Sequence, residues 1–339
     1  MIKETITKLL EKKDLSESEM HDAMQEIMSG GATPAQIASF LTVLRIKGES
    51  VDEISAAAEV MRNFATKIRV KNPAVLDTCG TGGDGAGTFN VSTLAALVSA
   101  GAGAVVAKHG NRCVSSKCGS ADLLEALGVN IQLKPEDVEK SIEQIGIGFL
   151  FAQLLHGAMR YAAPVRREMG IRTIFNILGP LTNPASAAHQ LLGVYSKTLV
   201  STLAKVLKNL GAKHALVVHG SDGLDEVTTT GATHICELKK GSIKNYKLSP
   251  SEFGIKKAKP KDIAGGDAAY NAALAKEVLK GKKGPARDIV VLNSGCALYA
   301  ADMAKTIKEG IKQAAHSIDS GNAMDKLNKL IEFSKSRAA

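Results

Sequence analysis

Apolar residues recur at helical spacing through the first 70 residues. The first such stripe is formed by Ile2, Ile6, Leu9 and Leu10. Capping boxes at 16–19 and 50–53 and a Thr33-Pro34 start predict three more helices, and glycines at 30–31 and 48 end two of them. This pattern predicts a small bundle of four helices without a strand.

After Pro73 the pattern changes to short β-rich runs that alternate with amphipathic stretches. It predicts strands at 74–78, 104–108, 129–133, 148–152, 190–195 and 215–219. It predicts helices between them at 91–100, 120–127, 135–145 and 198–210. Residues 228–248 are typical of antiparallel strands, and three helices are expected at 267–280, 285–301 and 305–333. Repeated strand–helix units indicate a parallel sheet.

These patterns predict an α/β protein in which a small all-helical domain precedes a larger α/β domain with a mostly parallel central sheet flanked by helices. The helical domain is expected at 1–70, with a return segment at 157–185 that lacks strand patterns. The α/β domain is expected at 72–156 and 186–339. Alanine and methionine on the apolar faces of the first helices favour a homodimer through the helical domain.

Composition narrows the class of protein. The 339 residues are 45% hydrophobic but only 4% aromatic, with no Trp, which suits helices around a buried parallel sheet. Lys and Arg outnumber Asp and Glu by 43 to 34, so anionic partners are favoured. Eight lysines lie at 239–261 with little aromatic content, which indicates a solvated surface, and a nucleic-acid partner is not expected.

The cysteines and the N-terminus indicate a compartment. Five cysteines contain no C-x-x-C pair, and their odd number argues against a disulfide framework, so a reducing environment is expected. The N-terminus is charged and periodic, and no apolar run approaches the roughly 20 residues of a membrane span. The sequence therefore predicts a soluble, cytoplasmic protein with no membrane partner.

The most biased stretch is 74–90, where a short apolar run ends in Asp77 and glycines follow at 80, 82, 83, 85 and 87. Bare backbone amides before a helix that begins near Asn90 are typical of a phosphate cradle. A dinucleotide fingerprint would require an acidic residue after the second strand, but Lys108-His109 stands there. A P-loop is also excluded because no Lys-Ser or Lys-Thr follows at the required spacing.

Three further stretches carry candidate chemistry. Residues 108–120 place Lys, His, Asn, Arg and three serines after a predicted strand, where ligands of open α/β sheets gather. Asp222 to Glu226 crowds three carboxylates whose oxygens suit Mg²⁺ beside a polyphosphate, although a solvated turn is the alternative. The arginines of 166–184 could clamp a carboxylate or simply lie on a helix surface.

Together these stretches resemble the anthranilate phosphoribosyltransferases, which belong with the nucleoside phosphorylase-like phosphoribosyltransferases. The motifs occur in family order: GTGGD at 80–84, NVST at 90–93, KHGNR at 108–112, SADLLEALG at 120–128, RTIFNILGPLTNP at 172–184 and DGLDE at 222–226. Two departures are visible. Cys113 replaces the usual Ser or Ala, and HGAMR at 156–160 replaces the common HPAMK.

The resemblance implies an enzyme of tryptophan biosynthesis that transfers the phosphoribosyl group from phosphoribosyl pyrophosphate (PRPP) to the amino group of anthranilate. It implies that PRPP is bound by Gly80, Thr81, Gly82, Gly83, Asp84, Thr88, Asn90, Ser92, Thr93, Lys108 and Ser120. It implies that anthranilate is bound by Gly80, His109, Asn111, Arg166, Gly179 and Pro180. Two Mg²⁺ per subunit are implied, with ligands from Ser92, Asp225 and Glu226.

The chemistry of this reaction needs stabilisation of the leaving pyrophosphate more than proton transfer. Cleavage at C1 of the ribose leaves positive charge on the sugar and negative charge on the pyrophosphate. We expect Lys108 and the metal ions to stabilise that leaving group. Because the acceptor amine already carries a lone pair, no general base is assigned, and His109 is expected to position rather than to accept a proton.

Two alternatives remain at this point. One is a pyrimidine nucleoside phosphorylase-like enzyme, which shares the run at 115–127. The carboxylate pair at 225–226 and the segment at 176–184 favour the transferase over this alternative. A non-catalytic nucleic-acid-binding relative is suggested only by the charge of +9. Such a relative would have lost Asp225, Glu226 or Arg166, and all three are present.

Overall fold

Four helices without a strand form the N-terminal part of the structure, which is a computed structural model that describes residues 1–112 and 117–337. Helices α1 to α4 span Ile2–Leu10, Glu17–Met28, Pro34–Lys47 and Val51–Phe64. The capping boxes predicted at 16–19 and 50–53 are both confirmed, and a third joins Thr33 to Gln36. Each box satisfies backbone amides that the first helical turn leaves without a partner.

The apolar stripe predicted for α1 is wrong at one position. Ile2, Thr5 and Leu9 form the buried face, whereas Leu10 is 65% exposed. Helix α1 is buried along one narrow face only, and because consecutive residues lie about 100° apart around the axis, Leu10 turns away from the core when Leu9 faces it.

A seven-stranded sheet forms the centre of the α/β domain. Strands β1 to β7 span Val75–Gly80, Val105–Gly110, Ile147–Phe151, His189–Gly193, His214–Gly220, Thr233–Lys239 and Ser242–Leu248. Their order is β3-β2-β1-β4-β5-β6-β7, with β1 to β5 parallel and β6 and β7 antiparallel. The chain progresses outward in one direction from β1 to β3 and in the other from β4, so the switch point lies between β1 and β4, where open α/β sheets bind ligands.

Helices cover both faces of this sheet. Helices α5 to α15 span Val91–Gly101, Ser120–Leu127, Pro135–Ile145, Ala152–Leu155, Ala163–Met169, Phe175–Leu178, Leu199–Asn209, Ala268–Leu279, Pro285–Ala300, Ile307–Asp319 and Asn322–Ser336. Leu191 and Leu216 face the core formed with α5 and α13, whereas Leu192 and Val217 face α11 and the helical domain. The period-2 alternation of strand side chains produces these two cores.

The segment at 157–185 contains only short helices and packs back onto the N-terminal helices. Helix α9 contacts α3, and α10 contacts α4. Val165 and Phe175 lie in the same buried cluster as the cores of α2 to α4. Among the described residues, no helix is long and apolar enough to cross a membrane.

Two predicted elements differ in the structure. Residues 129–133 are not a strand: Val129, Ile131 and Leu133 are buried in alternation, but the backbone amide of Asn130 bonds Ser334 of α15 instead of a neighbouring strand. Alternating burial shows that one side of the segment faces the core, but a strand also requires a neighbouring strand with which to form hydrogen bonds. The helix predicted at 305–333 is two helices, α14 and α15, separated at Gly321, whose φ is +82°.

The α13–α14 contact depends on two glycines, which generates a stability prediction. A Cβ on Gly310 would overlap the carbonyl oxygen of Gly295, and a Cβ on Gly295 would lie 2.7 Å from the Ile311 amide nitrogen. We expect Gly310→Ala to lower the free energy of unfolding by about 1–3 kcal/mol, measured by urea denaturation, because the helices must separate. Gly157→Ala is the control, since nothing lies within 4 Å of its added Cβ. Unchanged or increased stability of Gly310→Ala, as helix propensity alone would give, would contradict the packing argument.

Candidate active site

The glycine loop that follows β1 lies at the carboxyl edge of the sheet, beside the switch point. Gly82, Gly83, Gly85 and Gly87 have φ between +64° and +74°, which residues with a Cβ adopt at a cost. Gly80 is needed for a different reason, because a Cβ there would overlap the Asp225 carboxylate. Gly193, at the end of β4, has no room for a Cβ because the Asp225 main chain lies against it.

The acidic loop after β5 is tied by hydrogen bonds to the glycine loop and to the start of α5. The Gly82 amide donates to Asp225 Oδ2 at 2.7 Å, and the Ser92 amide donates to Glu226 Oε1 at 3.0 Å. The Asp225 amide lies 3.4 Å from Asp84 Oδ2. The structure therefore brings the acidic stretch at 222–226 against the glycine loop and the NVST run that follows it, although at least 134 positions separate the bonded residues.

The electrostatics of this cluster favour a bound cation. Burial, followed by the negative charge of Asp84, raises the pKa of Asp225 to about 7. Burial, followed by the charge of Asp225, raises the pKa of Glu226 to about 8. Carboxylates that repel one another in this way become stable as anions when a divalent ion lies between them.

The donor set fits Mg²⁺ rather than a metal held by protein ligands alone. Carboxylate and hydroxyl oxygens are the hard ligands that Mg²⁺ prefers, and they are present as Asp225, Glu226 and Ser92. Within the described ranges, no group of three or more His, Cys, Asp or Glu side chains could hold a metal ion by itself. The site therefore suits an ion that completes its shell with water and substrate oxygens.

Lys108 lies beneath the site rather than on its surface. Its side chain is on β2 with the residue only 3% exposed, and Nζ donates to the Thr78 carbonyl at 2.6 Å. Its charge acts to lower the pKa values of Asp77 and Glu226, although burial still raises both. The ammonium thus adds positive potential under the acidic cluster.

His109 belongs to a buried polar network that links β2 to the segment at 176–183. Its amide donates to Asp77 Oδ1 at 3.1 Å, and Asn183 Nδ2 donates to Asp77 Oδ2 at 2.8 Å. His109 Nδ1 lies 3.1 Å from the Gly179 carbonyl, and its Nε2 lies 3.1 Å from His156 Nε2. Since a carbonyl only accepts, Nδ1 donates and Nε2 accepts from His156 in the neutral pair.

Burial keeps both of these histidines uncharged. Burial, then the neighbouring His156, lowers the pKa of His109 to about 3. Burial, then Lys67, lowers the pKa of His156 to about 4. Both nitrogens of the His109 ring are hydrogen-bonded within the protein, so the ring has a fixed orientation at the edge of the site.

Arg166 is a half-buried cation with no anionic partner among the described residues. Its guanidinium carbon lies 5.1 Å from the centre of the Phe175 ring, and burial lowers its pKa. The Gly179 carbonyl accepts from Thr182 as well as His109, and the Pro180 carbonyl accepts from Gln190 at 2.7 Å. These bonds hold the 179–180 backbone beside His109, and the unpaired guanidinium is free for a carboxylate.

The remaining candidates surround the glycine loop and the start of α6. Thr81 Oγ1 accepts from the Tyr195 amide, and Thr88 forms a bridge to Ala264. Asn90 donates to the Cys118 carbonyl, and the buried Thr93 hydroxyl has no partner among the described residues. Ser120 donates to the Asn111 carbonyl at 3.2 Å. Cys113 and the start of the 115–127 run lie outside the described residues.

Three residues at this edge were not named as site residues from the sequence, although Arg172 lies in the arginine-bearing stretch at 166–184. Asp77 and His156 complete the network around His109, and Arg172 donates to the Gly83 carbonyl. Asp77 could have been suspected, because a charged residue within a buried strand is rare without a partner. Nothing in the local sequence distinguishes Arg172 from the arginines at 166 and 167.

Comparisons with known proteins agree over the whole chain. Residues 3–65 match the helical bundle domain of a glycosyl transferase family, and residues 72–324 match the a/b domain of that family. The anthranilate phosphoribosyltransferase of Citrifermentans bemidjiense is 54% identical over 345 residues, with 98% of each chain covered. That of Moorella thermoacetica is 54% identical over 339 residues, with both chains covered completely.

Solved structures give the same result. The anthranilate phosphoribosyltransferase of Thermus thermophilus matches with a TM-score of 0.93 and 46% identity, covering 98% of this chain and 99% of that one. The Saccharomyces cerevisiae enzyme in complex with PRPP and Mg matches with a TM-score of 0.90 and 32% identity, covering 99% and 98%. The yeast enzyme has also been solved in complex with 4-fluoroanthranilate.

The acidic cluster generates a prediction for the metal-free protein. Both pKa values lie above those of unfolded carboxyl groups, so between about pH 4 and 8 the folded state holds more protons than the unfolded chain. These groups therefore lower stability as pH rises. In the presence of a chelator, we expect the free energy of unfolding of Asp225→Asn to rise relative to that of the unsubstituted protein as pH increases. The difference should grow by about 1–2 kcal/mol from pH 5 to pH 8, after allowance for screening by water.

Thermal unfolding over that pH range, with and without Mg²⁺, checks this expectation. Mg²⁺ should raise the Tm of the unsubstituted protein most at pH 8 and that of Asp225→Asn little. Asp52→Asn, at an exposed position of α4, controls for the loss of one carboxylate elsewhere. Parallel pH profiles for all three proteins would show that the cluster carries no such repulsion.

Proposed function

The chain belongs to the anthranilate phosphoribosyltransferase family, and on this premise we propose that it transfers the phosphoribosyl group of PRPP to the amino group of anthranilate, releasing pyrophosphate. The observation that carries the proposal is the pair Asp225 and Glu226, held against the glycine-loop and α5 amides by two hydrogen bonds. A nearby segment adds Arg166, a cation without an anionic partner among the described residues.

We propose that the glycine loop and the start of α5 bind PRPP. Backbone amides in the loop and at the helix N-terminus suit phosphate oxygens, and glycine lets the backbone approach them closely. Hydroxyl and amide side chains complete this surface, namely Thr81, Thr88, Asn90, Ser92, Thr93 and Ser120. Asp84 would face the ribose and pyrophosphate together with Gly80, Gly82 and Gly83.

We propose two Mg²⁺ per subunit, with Ser92, Asp225 and Glu226 as protein ligands. Bound Mg²⁺ would supply positive charge to the oxygens of the leaving pyrophosphate. The buried Lys108 ammonium, which donates to the Thr78 carbonyl, would add positive potential at the pyrophosphate without contacting it directly. The yeast relative in complex with PRPP and Mg supports the use of this metal.

We propose that anthranilate lies between Arg166 and the wall formed by His109, Asn111, Gly179 and Pro180, close to Gly80. A guanidinium can bind the anthranilate carboxylate through two parallel hydrogen bonds. The neutral His109, whose ring nitrogens are both occupied, would orient the acceptor and take no proton. The yeast complex with 4-fluoroanthranilate supports an acceptor of this class.

We further propose a cytoplasmic homodimer whose subunits associate through the helical domain. Leu10 of α1 and Ile46 of α3 are 65% and 73% exposed, and contact between two helical domains would bury such side chains. The two domains would comprise 1–70 with 157–185, and 72–156 with 186–339. Closure between them would exclude the water that hydrolyses PRPP.

A direct assay tests the proposed reaction. The protein is mixed with PRPP, Mg²⁺ and anthranilate, and the loss of anthranilate fluorescence is followed. We expect turnover that requires all three additions. Thymidine or uridine with inorganic phosphate serves as the control for a nucleoside phosphorylase; turnover there, with none of anthranilate, would overturn the proposal.

Arg166 provides the sharpest test of the acceptor site. We expect Arg166→Ala to raise the KM for anthranilate by about 10- to 100-fold, because a charge-assisted hydrogen bond contributes about 1.5–3 kcal/mol. The KM for PRPP should change much less. Arg167→Ala, which removes a neighbouring exposed arginine of α9, is the matched control. Equal changes in both KM values for Arg166→Ala would contradict its assignment to the acceptor carboxylate.

A further inference from the structure

Arg172 connects the acceptor segment to the glycine loop by a contact that the proposed roles above do not use. Its guanidinium Nη2 donates to the Gly83 carbonyl oxygen, across 89 positions of sequence. The same guanidinium makes a cation–π contact with Tyr195, with its carbon 4.4 Å from the ring centre. The Tyr195 ring therefore supports the Arg172 guanidinium, and the guanidinium in turn holds the Gly83–Asp84 peptide.

Tyr195 is itself fixed to the glycine loop. Its amide donates to Thr81 Oγ1 at 3.1 Å, and the Thr81 amide donates to the Gly193 carbonyl at 2.9 Å. Tyr195 lies two residues beyond β4, and these two bonds connect it through Thr81 to the end of that strand. Arg172 can therefore hold the loop in a defined place rather than move with it.

The Gly83 carbonyl determines which way its peptide faces. In a trans peptide the C=O and N–H groups point in opposite directions, and no cis peptide is present in the described residues. A carbonyl turned to Arg172 therefore turns the Asp84 N–H away from it. Neither that N–H nor the Gly83 N–H donates to another described residue, so both are available to a ligand.

Glycine makes this orientation hard to maintain without a tether. Gly82 and Gly83 both have positive φ, and glycine reaches other backbone conformations at little cost. A reversed Gly83–Asp84 peptide would present a carbonyl oxygen, which repels phosphate. On the other side, the loop is tethered at Gly82 by Asp225, and its far end at Gly87 by the Gly265 amide.

We propose that Arg172 is a positioning residue that, supported by Tyr195, selects the amide-outward orientation of the Gly83–Asp84 peptide and so sets the affinity for the diphosphate of PRPP. This inference rests on the proposed function and adds a residue to its donor site. Arg172 acts through the loop, so its effect should fall on PRPP and not on anthranilate, even though it lies only six residues beyond Arg166.

Binding of PRPP with Mg²⁺, measured by calorimetry, and steady-state KM values for both substrates test the inference. We expect Arg172→Ala and Arg172→Lys to weaken PRPP binding about 10-fold, because lysine keeps the charge but loses the planar contact with the ring. The KM for anthranilate should stay within about twofold. Tyr195→Leu should weaken PRPP binding in the same direction, whereas Tyr195→Phe keeps the ring and should match the unsubstituted protein.

Besides Arg172 variants that bind PRPP like the unsubstituted protein, three results would overturn the inference. One is a loss for Arg172→Ala that Arg167→Ala reproduces, since this would reflect net charge alone. Another is an equal rise in the anthranilate KM, and the third is unchanged PRPP affinity for Tyr195→Leu. Thermal unfolding of each variant separates these from global destabilisation. If the unsubstituted protein binds no PRPP and turns over no anthranilate, the proposed function fails; if it does both and the Arg172 variants match it, the positioning role alone fails.

Discussion

Two carboxylates pressed against backbone amides are the constraint on which the rest of this active site depends. Burial raises the pKa values of Asp225 and Glu226, and repulsion among these two carboxylates and Asp84 raises them further. The amides of Gly82 and Ser92 nevertheless hold them at the carboxyl edge of the sheet. That contact is possible only because Gly80 and Gly193 lack a Cβ where the Asp225 loop crosses the strands. A divalent cation between the two carboxylates would relieve this repulsion and stabilise both as anions.

A second, buried network of hydrogen bonds surrounds His109. Asp77, buried at β1, accepts from the His109 amide and from Asn183, and His109 connects onward to Gly179 and His156. Its members come from β1, β2 and the return segment, so the network joins the sheet to the short helices that carry Arg166. Low dielectric strengthens each bond in such a network and makes each unmade bond costly. The end of β2 and the backbone at 179–183 are thereby held in one geometry by hydrogen bonds.

Much of the fold could be predicted from local pattern. The capping boxes, the βα alternation and the antiparallel hairpin after β5 each depend on residues within a few positions of one another, and the structure contains them. The failures have the opposite character. The alternation at 129–133 does not form a strand, because these residues lie beside α15 and not beside another strand. The helical period across 305–333 is continuous, so it does not show the turn at Gly321 that separates α14 from α15. Periodicity predicts which side is buried, but not what covers it.

The sequence by itself determined the chemical inventory: glycines for a phosphate cradle, paired carboxylates for a hard cation, and an arginine-bearing segment suited to a carboxylate. Those properties belong to residue types and short spacings, so no fold is needed to read them. Only the tertiary structure decided which peptide each group faces. Glu226 meets Ser92 across 134 positions because the strand order places β1, β4 and β5 side by side. Arg172 meets Gly83 across 89 positions because the segment at 157–185 lies against that edge of the sheet. Contacts at that separation depend on topology, which no local preference of the chain encodes.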